Sequence, residues 1–332
     1  MAIVPLDRGR RVARVGLVIL AVALVVQHGH GTHTILPDRP RYSPPRTPWG
    51  DPDIQGAYTN SAERGIPLER PPGLSTQMSP SQLRRVNEER REAKRRAIEW
   101  ELTIEPPMDN SRGWLVIDPP DGRMPPLVSD VFRRNRERID AWKPSETRAA
   151  PWLSMGPFER CISRGLPGSM IPFDYGNLYE IVQAPSVVSI TYEMVHEARV
   201  IPLDSFAPSG AALRSYMGDP RGHFEGETLV IETSNFADKT RYLGASPDLR
   251  LIERFTPISA TVLEWSVTFD DSRTWAAPWT IAMNLTRTND RPLEYACHEG
   301  NRAVGDLLNR KPSRITDPSA DANAGGSKAA NQ

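Results

Sequence analysis

The sequence is poor in the residues that most often announce chemistry. It holds 2 cysteines and 6 histidines in 332 residues. That supply excludes both a zinc site of repeated cysteine pairs and a disulfide-dense scaffold. It has no G-x-S-x-G elbow, H-E-x-x-H pair, P-loop or G-x-G-x-x-G turn. The usual hydrolase, metalloprotease and nucleotide-binding signatures are therefore missing. Charge of one sign is lacking too, because 41 Lys+Arg balance 41 Asp+Glu. No overall field gathers nucleic acid or an anionic membrane. Nor does any apolar run reach bilayer length: the run from Val15 to Val26 is too short for a comfortable span.

What the chain does have begins at its N-terminus. Arg8, Arg10, Arg11 and Arg14 precede that short run, which small and polar residues follow. This is the order of a secretory signal, so residues 1–31 read as a signal peptide, with an uncleaved membrane anchor as the alternative. Export places the protein in the periplasm or outside the cell. There Cys161 and Cys297 are expected to pair, since no third cysteine competes. On the chain-entropy view a loop that long contributes at most about 4–5 kcal/mol. The alternative, a catalytic Cys297 beside His298, requires side chains that neighbours on a strand do not bring together.

Proline is abundant, 32 residues clustered before residue 175. Each removes a backbone donor and fixes φ, so residues 32–177 read as a Pro-rich arm wrapping the surface. Trp49, Ile54 and Tyr58 are its expected anchors. His28, His30 and His33 read as a polar stretch beside a cleavage site, with metal binding as the alternative; no metal and no cofactor is expected. Two surface helices interrupt the arm. The first starts at Pro80 behind a Ser79–Gln82 capping box, runs to about Trp100 and docks by Leu83, Val86, Ala93, Ala97 and Trp100. Its arginines alternate with Glu88, Glu89 and Glu92, the pattern of a solvated helix rather than a nucleic-acid face. The second runs from a Ser129 cap to about Trp142.

From Leu178 the hydrophobic period becomes two. Strands are expected near 178–183, 186–194, 197–202, 228–234, 249–257, 261–270, 279–287 and 293–297. Short turns favour antiparallel neighbours. The fold class is mainly β with peripheral helices: an antiparallel meander over 178–309, closing into a barrel or a strongly curled sheet. The stretch Met217–Thr233 organises it as a turn, a short strand, a tight Glu-Gly turn and a second strand. Residues 310–332 read as a disordered tail.

Alternation also says which polar side chains point inward. His196 shares the phase of Val188, Ile190, Tyr192 and Met194. Glu253 shares that of Leu249, Leu251 and Phe255. An inward His196 and Glu253, with Arg199 nearby and Tyr192, Met194 and Trp265 as walls, make an acid/base pair in a pocket. The structural alternatives are a carbonyl-bonded strand-end His196 and an ion pair of Glu253 with Arg199. His298 and Glu299 stand as ligand-binding candidates, against a reading as turn residues.

Pro48–Gly56, Met217–Thr233 and Tyr295-Ala296-Cys297-His298-Glu299-Gly300-Asn301 resemble a family of uncharacterised secreted bacterial proteins, over nearly all of the chain after the signal. The Phe224–Val230 turn is similar to strand turns in lipocalin-like barrels. The resemblance implies a fold and carries no catalytic residue. The expectation is a periplasmic or secreted barrel that binds a small hydrophobic ligand. The partner is that small molecule, with no nucleic acid, and membrane contact only through an uncleaved N-terminus. The alternative is a cofactor-independent lyase, isomerase or hydrolase working through His196, Glu253 and Arg199.

Overall fold

A computed structural model describes residues 42–97, 109–142, 155–203, 209–210, 212–238, 242–302 and 305. The signal segment, the cluster from His28 to His33, Trp100 and the tail after Asn309 lie outside the described residues.

Among the described residues the chain is mainly β. Its strands are β1 (Gly56–Thr59), β2 (Val116–Asp118), β3 (Leu178–Ala184), β4 (Val187–Tyr192) and β5 (Glu197–Pro202). They continue with β6 (Asp219–Glu225), β7 (Thr228–Ser234), β8 (Arg250–Pro257), β9 (Val262–Asp270) and β10 (Trp279–Thr288). All belong to one antiparallel sheet in the order β5-β4-β3-β1-β10-β9-β8-β7-β6, with β2 also on β10. It is built from two consecutive ribbons, β3–β5 and β6–β10. They are joined by β1, which pairs β3 on one side and β10 on the other. β2 lies along the start of β10 and β1 along its end, so the two short strands share one position. The Pro-rich segment thus enters the sheet as well as wrapping it. Of its expected anchors, Ile54 and Tyr58 are buried and Trp49 is exposed. Residues 293–297, expected as a strand, run irregularly into a turn.

Alternation explains the core. β9 buries Leu263, Trp265, Val267 and Phe269 and leaves the residues between them half-buried. β8 repeats this with Leu251, Glu253, Phe255 and Pro257. Each large apolar side chain so buried contributes roughly 1.5–3 kcal/mol. At the β6–β7 hairpin, Gly226 takes φ +61 in the turn, and Leu229 and Ile231 enter the core. Gly218, at φ +73, cannot be replaced there. An added Cβ would lie 2.5 Å from Thr233 Cγ2 and 2.7 Å from the Ser234 carbonyl oxygen.

The edges β5 and β6 are not hydrogen-bonded to each other. They nevertheless meet: Ile201 and Leu203 press on Gly222, each with a methyl carbon 2.8 Å from where a Cβ would stand. The sheet is curled until its edges touch, without a hydrogen-bonded seam.

Two helices lie outside it. In α1 (Pro80–Ala97) the Ser79 N–H donates to Gln82 Oε1 at 2.8 Å and the Gln82 N–H donates back to Ser79 Oγ at 3.3 Å. The capping box forms as read. The docking differs from expectation, since Leu83 and Val86 are only half-buried and Ala93 is exposed. Polar side chains hold the helix instead, with Asn87 Nδ2 donating to the Asn110 carbonyl at 2.9 Å and Arg90 Nη1 to Asn110 Oδ1 at 2.8 Å. α2 spans Val131–Trp142. No helix among the described residues is long and apolar enough to cross a membrane.

Candidate binding site beside the disulfide

Cys161 and Cys297 form the expected disulfide, with Cα atoms 5.6 Å apart across 136 positions. It ties the loop 155–177, which leads into β3, to the segment that follows β10. Ser163 Oγ donates to Glu197 Oε2 at 2.8 Å and accepts the Gly165 N–H at 2.9 Å. Asn177 clasps Phe173 twice, accepting its N–H and donating to its carbonyl, both at 2.8 Å. The loop is therefore fixed to the sheet at several points.

These restraints collect aromatic rings around one cation. The Arg164 guanidinium carbon lies 5.6 Å from the Phe158 ring centre and 5.3 Å from that of Phe173. Phe173 meets Phe158 edge-on at 6.3 Å and Tyr175 edge-on at 5.5 Å. Tyr175 stacks on Tyr295 at 6.2 Å, with their hydroxyls 3.4 Å apart. Tyr295 comes from the far side of the disulfide, two positions before Cys297. Phe173 and Tyr175 are 40% and 48% exposed, so they form the open side of this cup.

The electrostatics are unusual for an arginine. Arg164 makes no ion pair and no hydrogen bond with the described residues. Burial pulls its pKa below the ordinary value, opposed only by the oxygens of Tyr179, Tyr295, Tyr175 and Tyr242. A desolvated cation normally has an anionic partner. Here ring faces supply part of that role, at about 0.5–2 kcal/mol each. The Tyr295 hydroxyl, pushed up to about 12 by burial and by Tyr175, donates to the Tyr175 hydroxyl, whose own O–H is left to donate outward. An apolar cup with one unpaired guanidinium and two hydroxyls suits an anion attached to an apolar body.

The residues singled out from sequence divide into two places. Glu253, Arg199, Tyr192, Met194 and Trp265 are all buried inside the sheet. Glu253 is not free for chemistry: Arg199 Nη1 donates to its Oε2 at 2.5 Å and Trp265 Nε1 to its Oε1 at 3.1 Å. Burial works against the Arg199 charge, but Glu253 beside it holds the pKa above its ordinary value. Tyr192 meets Tyr179 edge-on at 5.9 Å, and its hydroxyl, raised by burial, bonds to none of the described residues. Tyr192, Phe255 and Trp265 each have 0% exposure and fill the interior. An apolar chamber formed by these walls is thus not open.

His196 is the main correction. β4 ends at Tyr192, and the phase that would carry His196 inward breaks in the turn after it. Val195 and His196 adopt left-handed backbone, φ 64 and 52, and His196 is exposed. The inward His–Glu pair does not form. His298 and Glu299 are exposed in the turn after Cys297, apart from the buried walls. Trp275, bridged to Leu127, and Trp279 lie buried 5.4 Å apart, with Phe269 stacked 4.0 Å from Trp279. Reading the sequence alone missed Arg164 and its rings. The available signal was an aromatic residue close to each cysteine, Phe158 before Cys161 and Tyr295 before Cys297, with Arg164 three positions after Cys161.

No protein-family model and no curated protein matches this chain. Among solved structures, the chain is similar to the crystal structure of a secretary abundant heat soluble (SAHS) protein from Ramazzottius varieornatus. The match is 11% identical, covers 40% of this chain and 87% of that chain, and has a TM-score of 0.26. A likeness of that degree says nothing about a ligand.

Proposed function

We propose that this is a binding protein of the periplasm or the extracellular space that takes a small hydrophobic molecule bearing an anionic group. The ligand lies in the cup of Phe158, Phe173, Tyr175 and Tyr295, with its anion on Arg164. The observation that carries the reading is the half-buried Arg164, which lacks a carboxylate partner among the described residues and lies against the Phe158 and Phe173 rings. The compartment is supported by the disulfide and by the basic, then apolar, N-terminal sequence. Catalysis by an inward His196 and Glu253 is dropped, because one is in solvent and the other is sealed in an ion pair.

Titration calorimetry with 2-naphthoate and neutral 2-naphthamide tests this. Naphthoate is expected to bind at least about tenfold more tightly, the value of one charge-assisted hydrogen bond. Arg164→Met is expected to erase that preference while the fold, followed by circular dichroism, persists. Equal binding of the two probes, or an unchanged preference in the variant, refutes the reading.

A further inference from the structure

A second cavity, of about 430 Å³, lies where the start of the described chain passes the β8–β9 turn. It shares no residue with the Arg164 cup, and its size is that of a small-ligand site. Tyr42, Pro44 and Pro257 are among its apolar walls, and it also holds one side chain of each charge, Asp53 and Arg287.

Arg287 is held in a fixed pose without using a carboxylate. Its Nη1 donates to the Gln55 carbonyl at 2.6 Å and its Nη2 to the Tyr58 hydroxyl at 2.8 Å, with the guanidinium carbon 4.9 Å from the Tyr58 ring centre. Gly56 makes the pose possible. It sits at φ +129, and a Cβ there would collide with Arg287 Nη1. Two bonds leave most of the five N–H donors of the fork unused. Asp53 is held as well: its Oδ1 accepts the Gln55 N–H at 3.0 Å and the Gln55 side-chain amide at 3.3 Å. Asp53 and Arg287 line one cavity, yet no ion pair joins them. Opposite charges that are each fixed by other groups, and kept apart, form a dipolar receptor rather than a salt bridge.

We infer that this cavity binds a small zwitterion of the α-amino-acid type with an apolar side chain. Its carboxylate lies on Arg287, its ammonium on Asp53, and its side chain against the tyrosine and proline walls. A simple anion gains Arg287 but meets Asp53, and a simple cation the reverse, so a ligand carrying both charges is favoured over either.

The test uses the full chain and three probes, L-phenylalanine, N-acetyl-L-phenylalanine (anion only) and L-phenylalanine methyl ester (cation only). Binding is read by saturation-transfer NMR and calorimetry. L-Phenylalanine is expected to bind about ten- to a hundredfold more tightly than either singly charged probe. Arg287→Met and Asp53→Asn should each remove most of that advantage, whereas Arg164→Met should leave it intact. Asp53→Asn keeps the shape of the half-buried side chain, so it serves if Arg287→Met disturbs the sheet. Absence of L-phenylalanine binding, equal binding of a singly charged probe, or indifference to Asp53→Asn overturns the inference. Loss on Arg164→Met would assign the binding to the other site and also overturn it.

Discussion

The buried pair of Arg199 and Glu253 supports the sharpest test of how the interior is held. The side chains are 2% and 0% exposed, so neither charge can turn to water if its partner is removed. Glu253→Leu would leave the guanidinium unpaired and would also take the acceptor from Trp265 Nε1. Breaking one side of such a pair costs about 3–5 kcal/mol. For a unit of this size that is a fall in Tm of about 6–20 °C. Arg199→Met with Glu253→Leu should behave differently. Arg199 Nε and Nη2 already lack hydrogen-bond partners among the described residues, as does the Tyr192 hydroxyl. Removing both charges therefore removes an existing cost, and the double variant should return to within about 1 kcal/mol of the parent or exceed it. Urea unfolding at pH 7 with the disulfide intact measures all three proteins. A single variant that loses under about 1 kcal/mol, or a double variant as unstable as the single, would show that the pair does not hold the interior in this way.

Two further outcomes are expected. Replacing Cys161 and Cys297 by serine should cost about 2–5 kcal/mol in urea unfolding, and should weaken 2-naphthoate because Tyr295 is no longer held against Tyr175. Glu197 has a folded-state pKa raised above 4.5 by burial, only partly offset by the Ser163 hydroxyl and Arg199. The folded state therefore holds this proton more tightly than the unfolded state, and the contribution is complete below pH 4.5 and lost as pH rises through the raised value. Relative to Glu197→Gln, the parent should lose stability over that rise, and a relative gain would contradict the assignment.

The parts legible in the sequence were those written locally. Period-two phasing placed Leu251, Glu253 and Phe255 on one face of β8, and turn chemistry placed the Gly226 hairpin. The capping box declared α1, and cysteine count with compartment declared the disulfide. Other features are conferred from a distance. β1 has four residues, too few to show alternation, and it is a strand because β3 and β10 flank it. His196 was misplaced because phase arguments end where the strand ends, and two left-handed residues reverse the chain there. The Arg164 cup joins residues more than a hundred positions apart, and no local pattern encodes that meeting.

The place of β1 has a consequence for how the chain is made. Tyr58 on β1 receives its bond from Arg287 on β10, 229 positions later. A ribosome releases β1 early, but one of its two ladder partners appears only when synthesis is nearly finished. Until then the ribbon β3–β5 has no bridge to the later strands, and sheet formation must wait for the long-range closure. The order of the strands therefore keeps the sheet incomplete until translation is almost over.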